Sequence, residues 1–377
     1  MTAAGLLAES GPDSSRFGLR VFRGTLQTVD ARELFRELAA SAVDVAIVRT
    51  DAGQGAAIAQ LGRYGLHPLH ADTLVYYDVA LDRHEPKPLR NDDLEFSEAA
   101  AGDAAELQAL VATTFADYRS HYHANPILDR EAILAGYAEW AAGYLRGGSD
   151  RTTWVARRDG EIVAFACCSH DHASANCEGV LYGVHPEHAG GGLYGDLIRY
   201  TQARFRALGY GRMKVSTQVW NLAVQKVWSR EGFSLVHAYD TWHVNALLSA
   251  GEPAIEETVV FTSEQVRAFA TATGDTNSVH LDDDAAREAG FASRISHGML
   301  AGSELSRVFG TRVPGLGTLF LRSELAFLAP VYPDRGHVLR VRFPGSTTLR
   351  GHMTAVATLH DDEGRLCLLA YNDLLKR

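Results

Sequence analysis

No two cysteines in this chain are spaced as CxxC. The four present, Cys167, Cys168, Cys177 and Cys367, have neither zinc-ligand spacing nor the density of a disulfide scaffold. They read as reduced, partly buried thiols, and no metal is expected. No apolar run reaches the roughly 18 residues that a membrane-spanning helix needs. The N-terminal MTAAGLLAESGPDSSRFG has no basic stretch ahead of a long apolar one, so no signal peptide is expected. An excess of positive charge is missing too: 36 Lys and Arg face 46 Asp and Glu, a net charge of −10. That argues against a broad electrostatic grip on nucleic acid or on an anionic membrane. Internal repeats and low-complexity tracts are also lacking. The expectation is a cytoplasmic protein acting on small molecules.

What is present suggests several folded parts. At roughly 100–200 residues per domain, 377 residues make two or three. Hydrophobic residues at 46% and charged residues at 22% let each part bury its own core without staples. After the strand-like YDTWHVNALL comes the small, polar SAGEPAIEE, which places a linker at 249–256. Residues 1–248 read as an α/β region of two sub-lobes, about 15–92 and 93–248 (boundaries approximate). In the first, strands VDVAIVRT and TLVYYDVAL alternate with helices ARELFRELAASA and GAAIAQLGRYG. The second holds a helix with apolar Leu107, Leu110, Val111 and Phe115. A hairpin over Asp159-Gly160 follows, then strand CEGVLYGVHP and a helix stopped by Gly209. Strand RMKVSTQV and helix NLAVQKVWSREG complete it.

Residues 257–377 have a different grammar. Thr262 and Gln265 form a capping-box pattern ahead of a helix carrying Val266, Phe269 and Ala270, which ends near Gly274. A second helix, HGMLAGSELSRVFG, also ends at a glycine. Four strands follow. TLFLRSELAF sets Leu319, Leu321, Ser323, Leu325 and Phe327 on one face, and VLRVRF alternates apolar residues with Arg340 and Arg342. Helices followed by antiparallel strands make an α+β domain.

The strongest signal is Thr273-Gly274-Asp275-Thr276-Asn277-Ser278-Val279-His280, followed by His297-Gly298-Met299. Asp275 and His280, five apart on a loop, are placed to converge on one water. A carboxylate and an imidazole are natural proton-transfer partners near neutral pH. Gly298 opens the second helix, where a free N–H and the positive end of the helix dipole can stabilise an oxyanion. The pair of motifs resembles the MaoC-like, (R)-specific enoyl-CoA hydratases, which have the hot-dog fold. The resemblance covers 261 to about 343 closely and continues loosely to the C-terminus. It implies Asp275 and His280 as the catalytic pair, the Gly298 N–H as oxyanion donor, Asn277 as orienter of the loop and Ser306 as a supporting serine. The family usually has a proline after the asparagine; here Ser278 stands there. The substrate implied is an acyl thioester on CoA or on an acyl carrier protein. Domains of this size generally pair, so a homodimer is expected.

The second signal is Val184-His185-Pro186-Glu187-His188-Ala189-Gly190-Gly191-Gly192-Leu193-Tyr194, a Gly-rich turn from strand to helix that presents N–H groups to a phosphate. With the downstream Asn221 and Glu231-Gly232-Phe233, it resembles the GCN5-related N-acetyltransferases. The two-lobed stretch from Phe17 to about Asn245, with His121-Tyr122-His123-Ala124-Asn125-Pro126, is similar to the dTDP-fucosamine acetyltransferase type. The resemblance implies a CoA thioester held by Val184, Ala189, Gly190, Gly191, Gly192, Leu193, Tyr194 and Asn221. Three positions depart from the pattern. Ala189 replaces a Gln or Arg, Tyr194 replaces a small residue, and Trp228 stands where a tyrosine often protonates the leaving thiolate. Glu178 is a candidate for deprotonating an amine, or is a strand-edge surface carboxylate.

His121-x-His123 and His170-x-His172 lack helical ligand spacing and read as surface or substrate-facing histidines. The run Asp282-Asp283-Asp284 reads as the dipole-facing start of a helix. The reading is a GNAT-like acyltransferase region fused to a hot-dog hydratase or dehydratase, in a biosynthetic role. Two alternatives stay open. One is a chain that is mainly an amine acetyltransferase with an accessory hot dog. The other is a hydratase with a non-catalytic docking module.

Overall fold

Local side-chain chemistry sets where the helices start. Asp30 accepts the amides of Arg32 and Glu33, Asp129 that of Ala132, and Asp282 those of Asp284 and Ala285. Thr262 and Gln265 form the expected capping box. Asp159 and Gly160 both take positive φ, 52° and 86°, as a two-residue hairpin requires.

The computed structural model describes residues 5–146, 148–344 and 351–377. The first four residues of the N-terminal stretch lie outside that set. The strands are β1 (Ala8–Glu9), β2 (Val21–Leu26), β3 (Val45–Asp51), β4 (Leu69–Ala80), β5 (Glu95–Glu98), β6 (Arg151–Arg158), β7 (Glu161–Asp171), β8 (Asn176–Val184), β9 (Arg212–Gln218), β10 (Ser234–Asn245), β11 (Ile255–Val260), β12 (Thr318–Phe327), β13 (Gly336–Arg342), β14 (His352–His360) and β15 (Leu366–Lys376). The helices are α1 (Gly11–Phe17), α2 (Ala31–Ala40), α3 (Gly55–Ile58), α4 (Ala104–Phe115), α5 (Arg130–Leu145), α6 (Leu193–Ala207), α7 (Leu222–Arg230), α8 (Ser263–Thr273), α9 (Ser278–Leu281), α10 (Asp283–Glu288) and α11 (Gly298–Thr311).

The described residues group into two compact units. One takes the residues up to Val48, Gly55–Pro68 and His243–Arg377; the other takes Arg49–Gln54 and Leu69–Trp242. A single cut at 249–256 does not reproduce this grouping, and Asp44 shows why. Its carbonyl accepts the N–H groups of Ala246 and Leu247, and its carboxylate accepts from the Ser249 amide and hydroxyl at 2.7 and 3.0 Å. Tyr371 on β15 donates to the Ala246 carbonyl at 2.6 Å. Such pairings join residues about 125–205 apart in sequence, beyond the reach of any composition shift.

In the second unit the strand order is β10-β4-β9-β8-β7-β6-β5. β8 and β9 are parallel neighbours only from Asn176↔Arg212 to Gly179↔Val215. Pairing then stops, although β8 continues to Val184 and β9 to Gln218. The two strands therefore part toward their C-terminal ends and leave a split in the sheet. One face carries α6, whose Leu197, Ile198 and Phe205 pack with Cys177, Met213 and Val215. The other carries α4 and α5, whose Leu107, Val111, Phe115 and Ala141 pack with Val155, Phe165 and Leu181.

In the first unit, β11-β13-β14-β15-β12 form a five-stranded antiparallel sheet. It packs on one long helix: Ala301, Leu305, Val308 and Phe309 of α11 meet Val341, Ala357, Leu359, Leu368 and Ala370. β12 departs from the alternation read in its sequence. Its register shifts between Phe320 and Arg322, and Leu319, Leu321 and Phe327 are 42%, 51% and 50% exposed. It is the outer strand of its sheet, with one edge unpaired among the described residues. No helix among the described residues is long and apolar enough to cross a membrane.

Candidate active sites

The first site lies where α8 ends and α11 begins. Gly274 closes α8 in the left-handed conformation, φ 77°, and turns the chain toward Asp275. The Asp275 carboxylate accepts the Asn277 N–H at 3.3 Å, and the Asn277 side chain in turn caps α9 through the Val279 N–H at 3.4 Å. His280 is thereby carried on a one-turn helix rather than on the loop read from the sequence. Its Nδ1 lies 2.9 Å from the Ile295 carbonyl. A carbonyl only accepts, so Nδ1 carries the proton and Nε2 presents a lone pair.

His297, the residue before Gly298, folds back on this loop. Its Nε2–H donates to the Asp275 carbonyl at 3.0 Å, and its Nδ1 is buried without a hydrogen-bond partner. The His280 and His297 rings lie 3.9 Å apart between centroids. Ligand-capable atoms of Asp275, His280 and His297 all fall within 4.8 Å of one another. Among the described residues this is also the one group of three or more such side chains disposed to hold a metal ion. Gly298 is the first residue of α11, so its N–H has no intrahelical acceptor. A Cβ there would come within 3.0 Å of the Phe327 ring, so the glycine lets an aromatic lie directly on the backbone. Ser306 is exposed on α11, eight positions on from Gly298, about 12 Å along the axis. His297 is the site residue that sequence reasoning missed. Its signal was the motif itself, since a histidine immediately before a helix supplies no usual cap.

The second site is the glycine turn at the end of β8. Val184 ends the strand half-buried, and Ala189, Gly190 and Gly191 are exposed. Gly190 and Gly192 take φ of 88° and 89°, and Gly192 is the N-cap of the 15-residue α6. Free N–H groups at that helix start suit an anion. Buried Leu193 pins the turn to the core. Fully buried Asp196 fixes it from below, accepting the Arg90 and Asn91 N–H groups at 2.8 Å each and pairing with Arg199 at 3.0 Å. Asn221 caps α7 by position and donates to the Thr217 hydroxyl at 3.0 Å.

Trp228 is 3% exposed, a core residue beside Tyr77. Tyr194 stands next to it. Burial pushes its phenol well above the usual range, with the indole offsetting part of this, so the hydroxyl keeps its proton at neutral pH. Glu178 is not brought to the turn or to Tyr194. It sits in the zipped part of β8, 3.5 Å from the Lys214 ammonium, beside a cavity of about 330 Å³. His170 and His172 both bond to the Tyr210 hydroxyl.

Comparison with known proteins agrees with this division. Residues 248–363 match the family model of the MaoC-like domain, and residues 112–233 that of the GNAT acetyltransferase family. The chain therefore carries a GNAT acetyltransferase domain followed by a MaoC-like domain. It is 35% identical over 101 residues to the mitochondrial 3-hydroxyacyl-[acyl-carrier-protein] dehydratase of Arabidopsis thaliana, covering 27% of this chain and 59% of that protein. It is 40% identical over 70 residues to an (R)-specific enoyl-CoA hydratase of Rhodospirillum rubrum, covering 19% and 49%. The chain spans about half the length of the curated relatives it matches. Among solved structures, an (R)-hydratase from A. caviae involved in PHA biosynthesis is 25% identical over 34% of this chain and 99% of its own, with a TM-score of 0.31.

Proposed function

We propose that the MaoC-like domain adds water to a 2,3-enoyl thioester, or removes it from the 3-hydroxyacyl thioester, on CoA or an acyl carrier protein. The convergence of Asp275 and His280 beside the open start of α11 carries this reading. Asp275 holds a water, and the His280 Nε2 lone pair takes its proton as the oxygen bonds to C3. Electron density moves onto the thioester oxygen, where the Gly298 N–H stabilises it, worth about 3 kcal/mol for one donor. The proton then returns to C2. Asn277 acts by capping the helix that carries His280. The half-exposed leucines and phenylalanine of the outer strand β12 are the face through which two chains pair. Purified protein is expected to hydrate crotonyl-CoA, with Asp275→Asn lowering the rate at least 100-fold at an unchanged thermal midpoint. Full activity in that variant would defeat the proposal.

The GNAT domain is proposed to transfer an acyl group from CoA to an amine. The CoA pyrophosphate lies on the N–H groups of Gly190–Leu193, its thioester arm enters the split between β8 and β9, and the protonated Tyr194 hydroxyl serves the leaving thiolate. Two thioester-handling domains in one chain suit a biosynthetic route.

A further inference from the structure

The GNAT domain needs a group that receives the amine and takes its proton, and Glu178 is held in the wrong place. Its partner Lys214 lies in the zipped stretch of β9, whereas the split opens after Val215. Gln218 marks the open end, about 13 Å further along β9. There the neighbouring strand β4 turns Asp72 inward; the Val219 N–H on Thr73 O, 2.8 Å, closes the ladder beside it. Asp72 is 6% exposed, and neither carboxylate oxygen has a hydrogen-bond partner among the described residues. The Thr241 hydroxyl and the Gln218 side chain are close enough to offset part of the burial as donors, with Arg49 and His70 felt at longer range and no ion pair to Asp72 among the described residues. Burial dominates and raises its carboxyl above the usual range.

The surroundings complete a site. The buried Tyr118 hydroxyl donates to the Gln218 side chain, and its phenol is near enough to interact with both Asp72 and Tyr194. The half-exposed Trp220 lies 5.9 Å from the Tyr118 ring and forms an apolar lip. The 3₁₀ turn His121–Ala124 packs over β4.

We propose that Asp72, at the open end of the β8–β9 split, binds the ammonium group of a primary amine acceptor and is the base of the acyl transfer. A buried carboxylate with no ion pair among the described residues is what a cationic substrate would pair with. R–NH3+ gives one proton to Asp72, which passes it to solvent. The freed nitrogen lone pair bonds to the thioester carbonyl carbon, the C–S bond breaks with its electrons going to sulfur, and a second nitrogen proton ends on the CoA thiol. The amide keeps the third. Tyr194 across the split relays the proton to sulfur. The inference rests on the acyl-transfer reading of this domain.

The test compares the full chain with Asp72→Asn in three measurements. They are acetyl-CoA affinity, thermal midpoint at pH 5 and pH 8, and thiol release from acetyl-CoA with glucosamine, ethanolamine and spermidine as amine probes. A carboxyl whose pKa is raised on folding costs the native state stability as pH climbs past the ordinary carboxylate value, and nothing below it. Asp72→Asn should therefore raise the midpoint more at pH 8 than at pH 5. It should leave acetyl-CoA affinity within twofold and crotonyl-CoA hydration unchanged, while amine-dependent release falls at least 100-fold. A lower midpoint at pH 8 would mean a structural partner and overturn the assignment. Full release in Asp72→Asn, or loss in Glu178→Gln instead, would overturn it while leaving acyl transfer intact. Wild-type protein that binds acetyl-CoA but acylates none of the three amines would defeat the acyl-transfer reading and this inference with it.

Discussion

Asp275 gives its site a charge and very little structure. It is exposed, and asparagine would still accept the Asn277 N–H, so the two roles separate cleanly on substitution. His297 is the reverse case. It is 2% exposed and ties the Asp275 carbonyl to the start of α11. His297→Leu should lower unfolding free energy by about 1–3 kcal/mol, from the lost donor and the disturbed fit, and denaturant titration checks this. Hydration should fall in the same variant because the Asp275 loop is no longer held. His280→Gln should instead cost roughly 100-fold or more in kcat, since Nε2 is the proposed base. The Asp/His pairing was legible as five-residue spacing plus a downstream HGM. The His297 contact was not, because it spans 22 residues and depends on how α11 meets the α8 end.

At the scale of elements, the glycine turn before α6 is constrained at its last residue. Gly192 sits at φ 89°, and a Cβ would approach the Arg90 Cδ to 3.2 Å. Gly192→Ala is expected to destabilise the chain by about 1–2 kcal/mol from left-handed backbone strain. It should also weaken acetyl-CoA binding at least tenfold, read by calorimetry, while crotonyl-CoA hydration stays unchanged. The strand–turn–helix around it was readable from glycines and periodicity. The one-turn α9 was not, being too short for any period to show; its trace was Asn277 at an N-cap position. The unzipping of β8 from β9 left no trace either. Parallel register is a relation between residues about 35 apart, and no local pattern encodes where it ends.

For the molecule as a whole, β12 is the element that one chain leaves unfinished. Leu321 is 51% exposed on an outer strand with a free edge. Leu321→Glu should shift the proposed dimer to monomer in sedimentation equilibrium, and an unchanged mass would remove the proposed interface. The sequence pattern pointed to one apolar face there, and among the described residues Leu325 of that face packs on the core while Leu319, Leu321 and Phe327 stay about half exposed. Periodicity reports that a surface wants covering without saying whether the cover comes from the same chain.

Residue order alone pointed to most of the longer elements, to two chemically distinct parts and to Asp275 and His280 as a closely spaced pair. Each rests on local periodicity, caps or short spacings. Tertiary structure decided which segments share a unit, since Asp44 and Tyr371 bond across more than a hundred residues to the stretch after β10. It also decided that His297 joins the first site, that Glu178 pairs with Lys214 away from the glycine turn, and that Asp72 is buried without an ion pair among the described residues. Burial and the absence of a partner are properties of surroundings assembled from distant strands, which no window of the sequence contains.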